Sequence, residues 1–199
     1  MITDKKKAAI EDLARNHLVD RWINELKNIE NRYLCSKDEI EEELIDIFDK
    51  LCKKTKEMQE KNLKNKIKYI HFSILRTKIM ENEGVYRIEF YDEDWYLDEV
   101  EAYEFWNADF IYKSLFDHME ELEVKKKKYL RTITSMDIEK IKQVEVSKYH
   151  TLACEMVKDM VEKLIELKSF KEIVSEGGYS ILFGEYKGDS KVIYQKESD

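Results

Sequence analysis

Five carboxylates fall within eight positions, Asp92, Glu93, Asp94, Asp98 and Glu99, and are the densest group in the chain able to hold a cation. Hard divalent ions such as Mg²⁺ or Ca²⁺ take oxygen ligands, which a carboxylate-rich loop after a strand supplies. Asp92, Asp94 and Asp98 are the candidate metal ligands. Two specific patterns fail on the residues themselves. An EF-hand loop begun at Asp92 needs glycine where Leu97 stands and glutamate where Tyr103 stands. The Asp-x-Asp of nucleotide-sugar transferases belongs on a nucleotide-binding α/β sheet, and a chain with five glycines and no proline lacks that composition. Without either pattern the acids read as a polar turn leading into a helix start, where the macrodipole favours negative charge.

Other chemistry-bearing residues are scattered. His17, His71, His118 and His150 form no HxxxH, HExxH or ExxH pattern. His71 and His118 are the two with general-base potential, provided a carboxylate orients them. Cys35, Cys52 and Cys154 are odd in number and widely spaced, the pattern of free thiols in a reducing compartment. Cys154 is four residues from His150 within an apolar helical stretch, which favours a buried thiol over a nucleophile. Glu185-Tyr186-Lys187 has the Glu-x-Lys form of many nucleases but lacks the metal-holding acid on a preceding strand. Gly177-Gly178 and the 184–188 segment match no phosphate-binding loop. No cofactor is expected from these residues.

Charge distribution carries more information. Between Glu81 and Val124 there are fifteen acids and two bases, Arg87 and Lys113, so this stretch holds more negative charge than the chain's net −8. Eleven of the twenty-three aromatics lie in the same stretch. Acids steer a basic partner and aromatics supply contact area, so Asp92, Glu93, Asp94, Trp95, Asp98, Glu99, Glu101 and Trp106 form a candidate partner-binding set. The competing reading is a solvated acidic face over core aromatics. Lys125-Lys126-Lys127-Lys128 reads as a helix end, with Glu121 and Glu123 placed to pair with Lys125 and Lys127. An acidic chain with that explanation for its lysine run is not expected to bind nucleic acid directly.

The elements that must position these groups follow from periodicity. Helices are expected from Thr3 to about Leu34 and from the Ser36-Lys37-Asp38-Glu39 capping box to about residue 66, folded back as a hairpin. Ile67–Met80 and Val85–Tyr91 around Glu81-Asn82-Glu83-Gly84 read as a β-hairpin, with residues 67–92 as its span. A third helix is expected from about Asp98 to Tyr129, within an acidic–aromatic segment 93–130, and its face includes Val100, Tyr103 and Phe110. A fourth, over residues 135–175, is capped by Thr134 or Ser135. The Lys187-Gly188-Asp189-Ser190 turn closes a C-terminal hairpin over residues 179–195.

The resulting expectation is a single helix-dominated α+β domain over residues 1–199. About four long amphipathic helices would pack with a small antiparallel sheet made by two hairpins. The start of the chain lacks an apolar h-region and nothing approaches a membrane span, so a cytoplasmic location away from membranes is expected. Three functions fit. The leading one is an interaction or regulatory module whose acidic, aromatic face binds a basic partner, as an inhibitor or nucleic-acid mimic would. The others are a metal-dependent enzyme using residues 92–99 and a homo-oligomeric assembly protein joined through its N-terminal helices.

Overall fold

The computed structural model describes residues 4–18 and 21–197; the cap expected at Thr3 lies outside them. The class is α+β and helix-rich, as the periodicities imply. Two compact units are distinguished: residues 1–37 with 109–151, and residues 38–108 with 152–199.

The first unit is helical. It contains α1 (Asp4–His17), α2 (Arg21–Cys35), α5 (Asp109–Lys125) and the first half of α6 (Ser135–Glu166). One long N-terminal helix was expected, and the described residues show two. Leu13, Ile29, Tyr112, Leu115, Leu122 and Tyr149 are buried here. Trp22 meets Tyr149 edge-on at 5.0 Å. Thr134 caps α6, and both its N–H and its hydroxyl donate to the Asp137 carboxylate at 2.8 Å. That is the return half of a capping box, with aspartate in the glutamate position, while the Asp137 N–H donates to the Thr134 carbonyl at 3.0 Å.

The second unit holds α3 (Lys37–Glu60), β1 (Tyr69–Ile74), α4 (Arg76–Met80), β2 (Val85–Tyr91), β3 (Ala102–Asn107), the rest of α6, α7 (Lys168–Ile173), β4 (Gly178–Glu185) and β5 (Ser190–Glu197). The sheet has order β3-β2-β1-β4-β5, and it is mixed, because β1 runs parallel to β4. Ile70, Phe72, Ile88, Phe90, Tyr86, Trp106, Ile181 and Phe183 are all buried. Phe48 of α3 packs on Phe72, Phe90 and Phe170 with centroids 6.3, 5.2 and 5.4 Å away. Each such side chain contributes about 1.5–3 kcal/mol through removal from water.

Besides the divided N-terminal helix and the parallel β1–β4 pair in a sheet expected to be antiparallel, two further expectations are corrected. The first hairpin arm is a strand only to Ile74, after which Arg76–Met80 forms a short helix. The helix expected from Asp98 begins at Asp109, since Ala102–Asn107 is an edge strand paired antiparallel to β2. Trp106 and Ala102 point to the core while Phe105 is half exposed, an alternation of period two. Val100, Tyr103 and Phe110 therefore share no helical face. Lysines of α3 attend this edge: Lys50 pairs with Glu104 at 3.1 Å, and Lys54 donates to the Tyr103 carbonyl at 3.4 Å. Among the described residues no helix is long and apolar enough to cross a membrane.

Candidate functional site

Because strand side chains alternate, β1 and β2 send one set into the core and the other to the opposite face. That second face is polar. In register it carries Phe105, Arg87, Ser73 and Gly184 in one row, then Tyr103, Glu89, His71 and Leu182 in the next, with Tyr91, Tyr69 and Ser180 beyond. Arg87, Ser73, Glu89, His71 and Tyr91 are all buried.

Glu89 is the hub. Arg87 donates to both its oxygens, Nε to Oε2 at 2.8 Å and Nη2 to Oε1 at 2.5 Å. The Tyr91 hydroxyl donates to Oε2 at 2.6 Å. Residues two apart on a strand share a face, which is why 87, 89 and 91 converge. Burial opposes the charge on Arg87, but Glu89 more than offsets it and its pKa is raised. Its guanidinium carbon lies 3.8 Å from the Tyr103 ring centroid and 5.0 Å from that of Tyr186. Burial, and the hydrogen bond to Glu89, push the Tyr91 phenol well above its ordinary range. Desolvation offsets much of what such a buried pair gains, whereas removing one partner would strand the other charge at a cost of about 3–5 kcal/mol.

His71 sits beside this network and takes no part in it. Its side chain is fully buried, and neither ring nitrogen has a hydrogen-bond partner among the described residues. Burial lowers its pKa to about 4, so the ring is neutral at pH 7. The carboxylate opposite it in register, Glu89, is committed to Arg87 and Tyr91. No carboxylate orients His71 as a general base.

The roof over His71 is the acidic loop. Trp95 lies 4.6 Å from Tyr69, 5.2 Å from Tyr91 and 5.9 Å from His71, centroid to centroid; Tyr96 lies 5.5 Å from Tyr91. Trp95 has φ of 55°, a left-handed conformation that a bulky side chain holds only when its surroundings over-determine it. Those surroundings are the candidate metal ligands. Asp92 accepts from the Asn65 side chain at 3.1 Å and from the Asp94 N–H at 3.0 Å. Asp98 accepts from the N–H groups of Asp92 and Val100, each at 3.1 Å, and from Lys64 Nζ at 2.5 Å. Lys64 also donates to the Val100 carbonyl at 2.5 Å, and its side chain is fully buried. A cation here would have to displace an ammonium already neutralising Asp98. Among the described residues no group of three or more His, Cys, Asp or Glu side chains is arranged to hold a metal ion.

The partner-binding set divides accordingly. Asp92 is buried and Asp98 braces the loop; Trp95 is half-buried, packed on the sheet. Trp106 is fully buried against Tyr86 and cannot face a partner, a correction that follows from its place on the core side of β3. Glu93, Asp94, Glu99 and Glu101 are exposed, and with them Tyr96 at 40%, Leu97 at 84% and Phe105 at 49%. Only Glu101 in this exposed set has an ion pair, with Arg87 at 3.4 Å, among the described residues.

The remaining sequence candidates lie apart from this site. His118 is buried and its pKa lowered, by burial first and then by Arg21, while it bonds the backbone of His17. Glu121 bonds Arg21 and Lys125, and Glu123 pairs with Lys126 instead of the anticipated Lys127. Glu185 binds Arg76, which accounts for the Glu-x-Lys triplet without metal chemistry. Cys52 and Cys154 are buried free thiols whose pKa values burial raises, and Cys35 is an exposed one.

Sequence reasoning missed Lys64, Asn65, Arg87, Glu89 and Tyr91. For three of them a signal existed: Arg87, an isolated base in an acidic block, begins an Arg-x-Glu-x-Tyr alternation within a strand. Compared with known proteins, the chain matches no family model, no curated protein and no solved structure.

Proposed function

We propose that the protein is an interaction module that captures a basic protein partner at the tip of the 93–101 loop. One observation carries the reading: Leu97 and Tyr96 protrude among Glu93, Asp94 and Glu99, three exposed carboxylates without ion-pair partners among the described residues. An apolar centre inside a charged rim is the anatomy of a protein-binding hot spot. Unpaired carboxylates of one sign steer a cationic surface into place and suppress anionic competitors. The Lys64–Asp98 brace favours this use, since a preorganised loop loses little entropy on binding. Arg87 between Tyr103 and Tyr186 illustrates how an incoming arginine would be received by Tyr96 and its acidic neighbours.

The test is a pull-down from source-cell lysate beside two variants. One carries Glu93→Gln, Asp94→Asn, Glu99→Gln and Glu101→Gln; the other is Leu97→Ala. Asp92 and Asp98 are left intact because changing them would dismantle the loop. Wild type should retain a specific basic protein and release it as salt rises from about 0.1 to 0.5 M, where screening shortens to a few Å. Both variants should lose it while melting like wild type. Retention of the same proteins by the fourfold variant, or of none by wild type, would exclude docking at this loop.

A further inference from the structure

The face of α2 turned away from the core carries an exposed apolar residue near each end. Ile23 is 63% exposed and Leu34 61%, with Leu26 at 37% on the flank. Between them lie Lys27 and Glu30, both exposed. Glu25 and Ile29 are the buried residues of this helix, and Trp22 and Tyr33 are half-buried beside them. At about 100° per residue, positions 23, 27, 30 and 34 fall in one narrow stripe nearly opposite that buried side. Spacings of four, three and four average about 3.7, close to the helix's own 3.6 residues per turn, so over three turns the stripe runs nearly straight along the axis and can face a second helix.

We infer that this stripe is the contact by which two copies of the chain associate, their α2 helices antiparallel about a two-fold axis midway between residues 28 and 29. The argument is charge complementarity. With helices antiparallel in that register, Ile23 of one copy faces Leu34 of the other, and Lys27 faces Glu30, twice by symmetry. A parallel pairing would set Lys27 against Lys27 and Glu30 against Glu30, which like-charge repulsion disfavours. Neither residue has an ion-pair partner among the described residues, so both remain available to the second copy. The helix spans about 22 Å, enough for a modest interface, and association is accordingly weak and concentration-dependent. An isologous contact of this kind closes at two copies and does not propagate.

Sedimentation velocity on the full chain tests this up to about 1 mM, a range in which an interface of this size associates. Wild type should shift from monomer to dimer with concentration. Lys27→Glu alone and Glu30→Lys alone should each raise the dissociation constant about tenfold, and Lys27→Glu combined with Glu30→Lys should restore it. Leu34→Asp should leave only monomer. All three substituted residues are exposed, and unchanged melting curves of the four variants would show that folding is intact. A wild type that stays monomeric overturns the inference, and so does a double reversal that fails to rescue. Single reversals that leave association unchanged would overturn the antiparallel register.

Discussion

His71 offers the sharpest check on the second face of the sheet. Acidifying the solution should destabilise the fold in part through this ring, and His71→Phe should remove that part of the sensitivity. In the unfolded chain a histidine titrates near 6.5, whereas burial holds His71 at about 4. The unfolded state therefore binds the proton first as pH falls, and stability is fully present above the unfolded value and lost on the way down to 4. Linkage over that gap gives a loss of about 2 kcal/mol at pH 5 and about 3 kcal/mol at pH 4. Those are large fractions of the roughly 5–15 kcal/mol that holds a domain folded. Urea unfolding followed by tryptophan emission, run from pH 7 to pH 4 on wild type and His71→Phe, isolates the effect, because His118 titrates in both proteins. Near neutrality the variant should be equal or more stable, since two unpartnered buried nitrogens are costly. The curves should then diverge by about 2 kcal/mol at pH 5. Parallel curves would refute the reasoning, because His71 would then be solvated or hydrogen-bonded in the folded state.

Asp98→Asn should cost about 3–5 kcal/mol, as it strands the buried Lys64 ammonium, and the accompanying loop release should shift Trp95 emission to the red. Pairing it with Lys64→Met should recover much of that loss in the same urea experiment, a result an exposed ion pair would not give. Gly184→Ala places a Cβ 2.3 Å from the Asp189 carbonyl oxygen, so the β4–β5 turn must spread, at about 1–3 kcal/mol by thermal unfolding. Thr134→Ala should cost about 1–2 kcal/mol through loss of the hydroxyl's hydrogen bond to the Asp137 carboxylate at the start of α6. The Asp137 carboxyl, which burial raises but Lys6 and Thr134 hold down to about 2, should supply stability above about pH 4 that disappears as pH falls toward 2. Thr134→Ala should weaken that acid dependence, and an unchanged profile would show that the threonine has no part in it.

Long helices and the C-terminal hairpin were legible because each leaves a local signature. The helix expected over 135–175 forms as far as Glu166, where apolar residues repeat at helical spacing, though Lys168–Ile173 is a separate short helix; Lys187-Gly188 takes the turn that closes β4 onto β5. The β3 strand was not legible, because Val100, Tyr103 and Phe110 also fall at helical spacing amid acids, which masks the Tyr103, Phe105, Trp106 pattern. Only pairing with β2 decides between them, and pairing is not local. The same limit governed the site. The acids of residues 92–99 stood out in the sequence, yet their role depends on Lys64 and Asn65, about thirty positions earlier. Charge density located the loop, while burial decided which of its acids face solvent.

Lys54 has a consequence for solubility. An outer strand with free amide and carbonyl groups is a template on which further copies can add, and repeated addition leads to fibres. Lys54 occupies the Tyr103 carbonyl on β3, so an arriving strand must first displace a cation. At the opposite margin, β5 is kinked by a register shift opposite Ile181 and Leu182 and carries Lys191 and Lys196. Both margins of the sheet thus resist growth, which lets the molecule display Leu97 and Phe105 to solvent without inviting polymerisation.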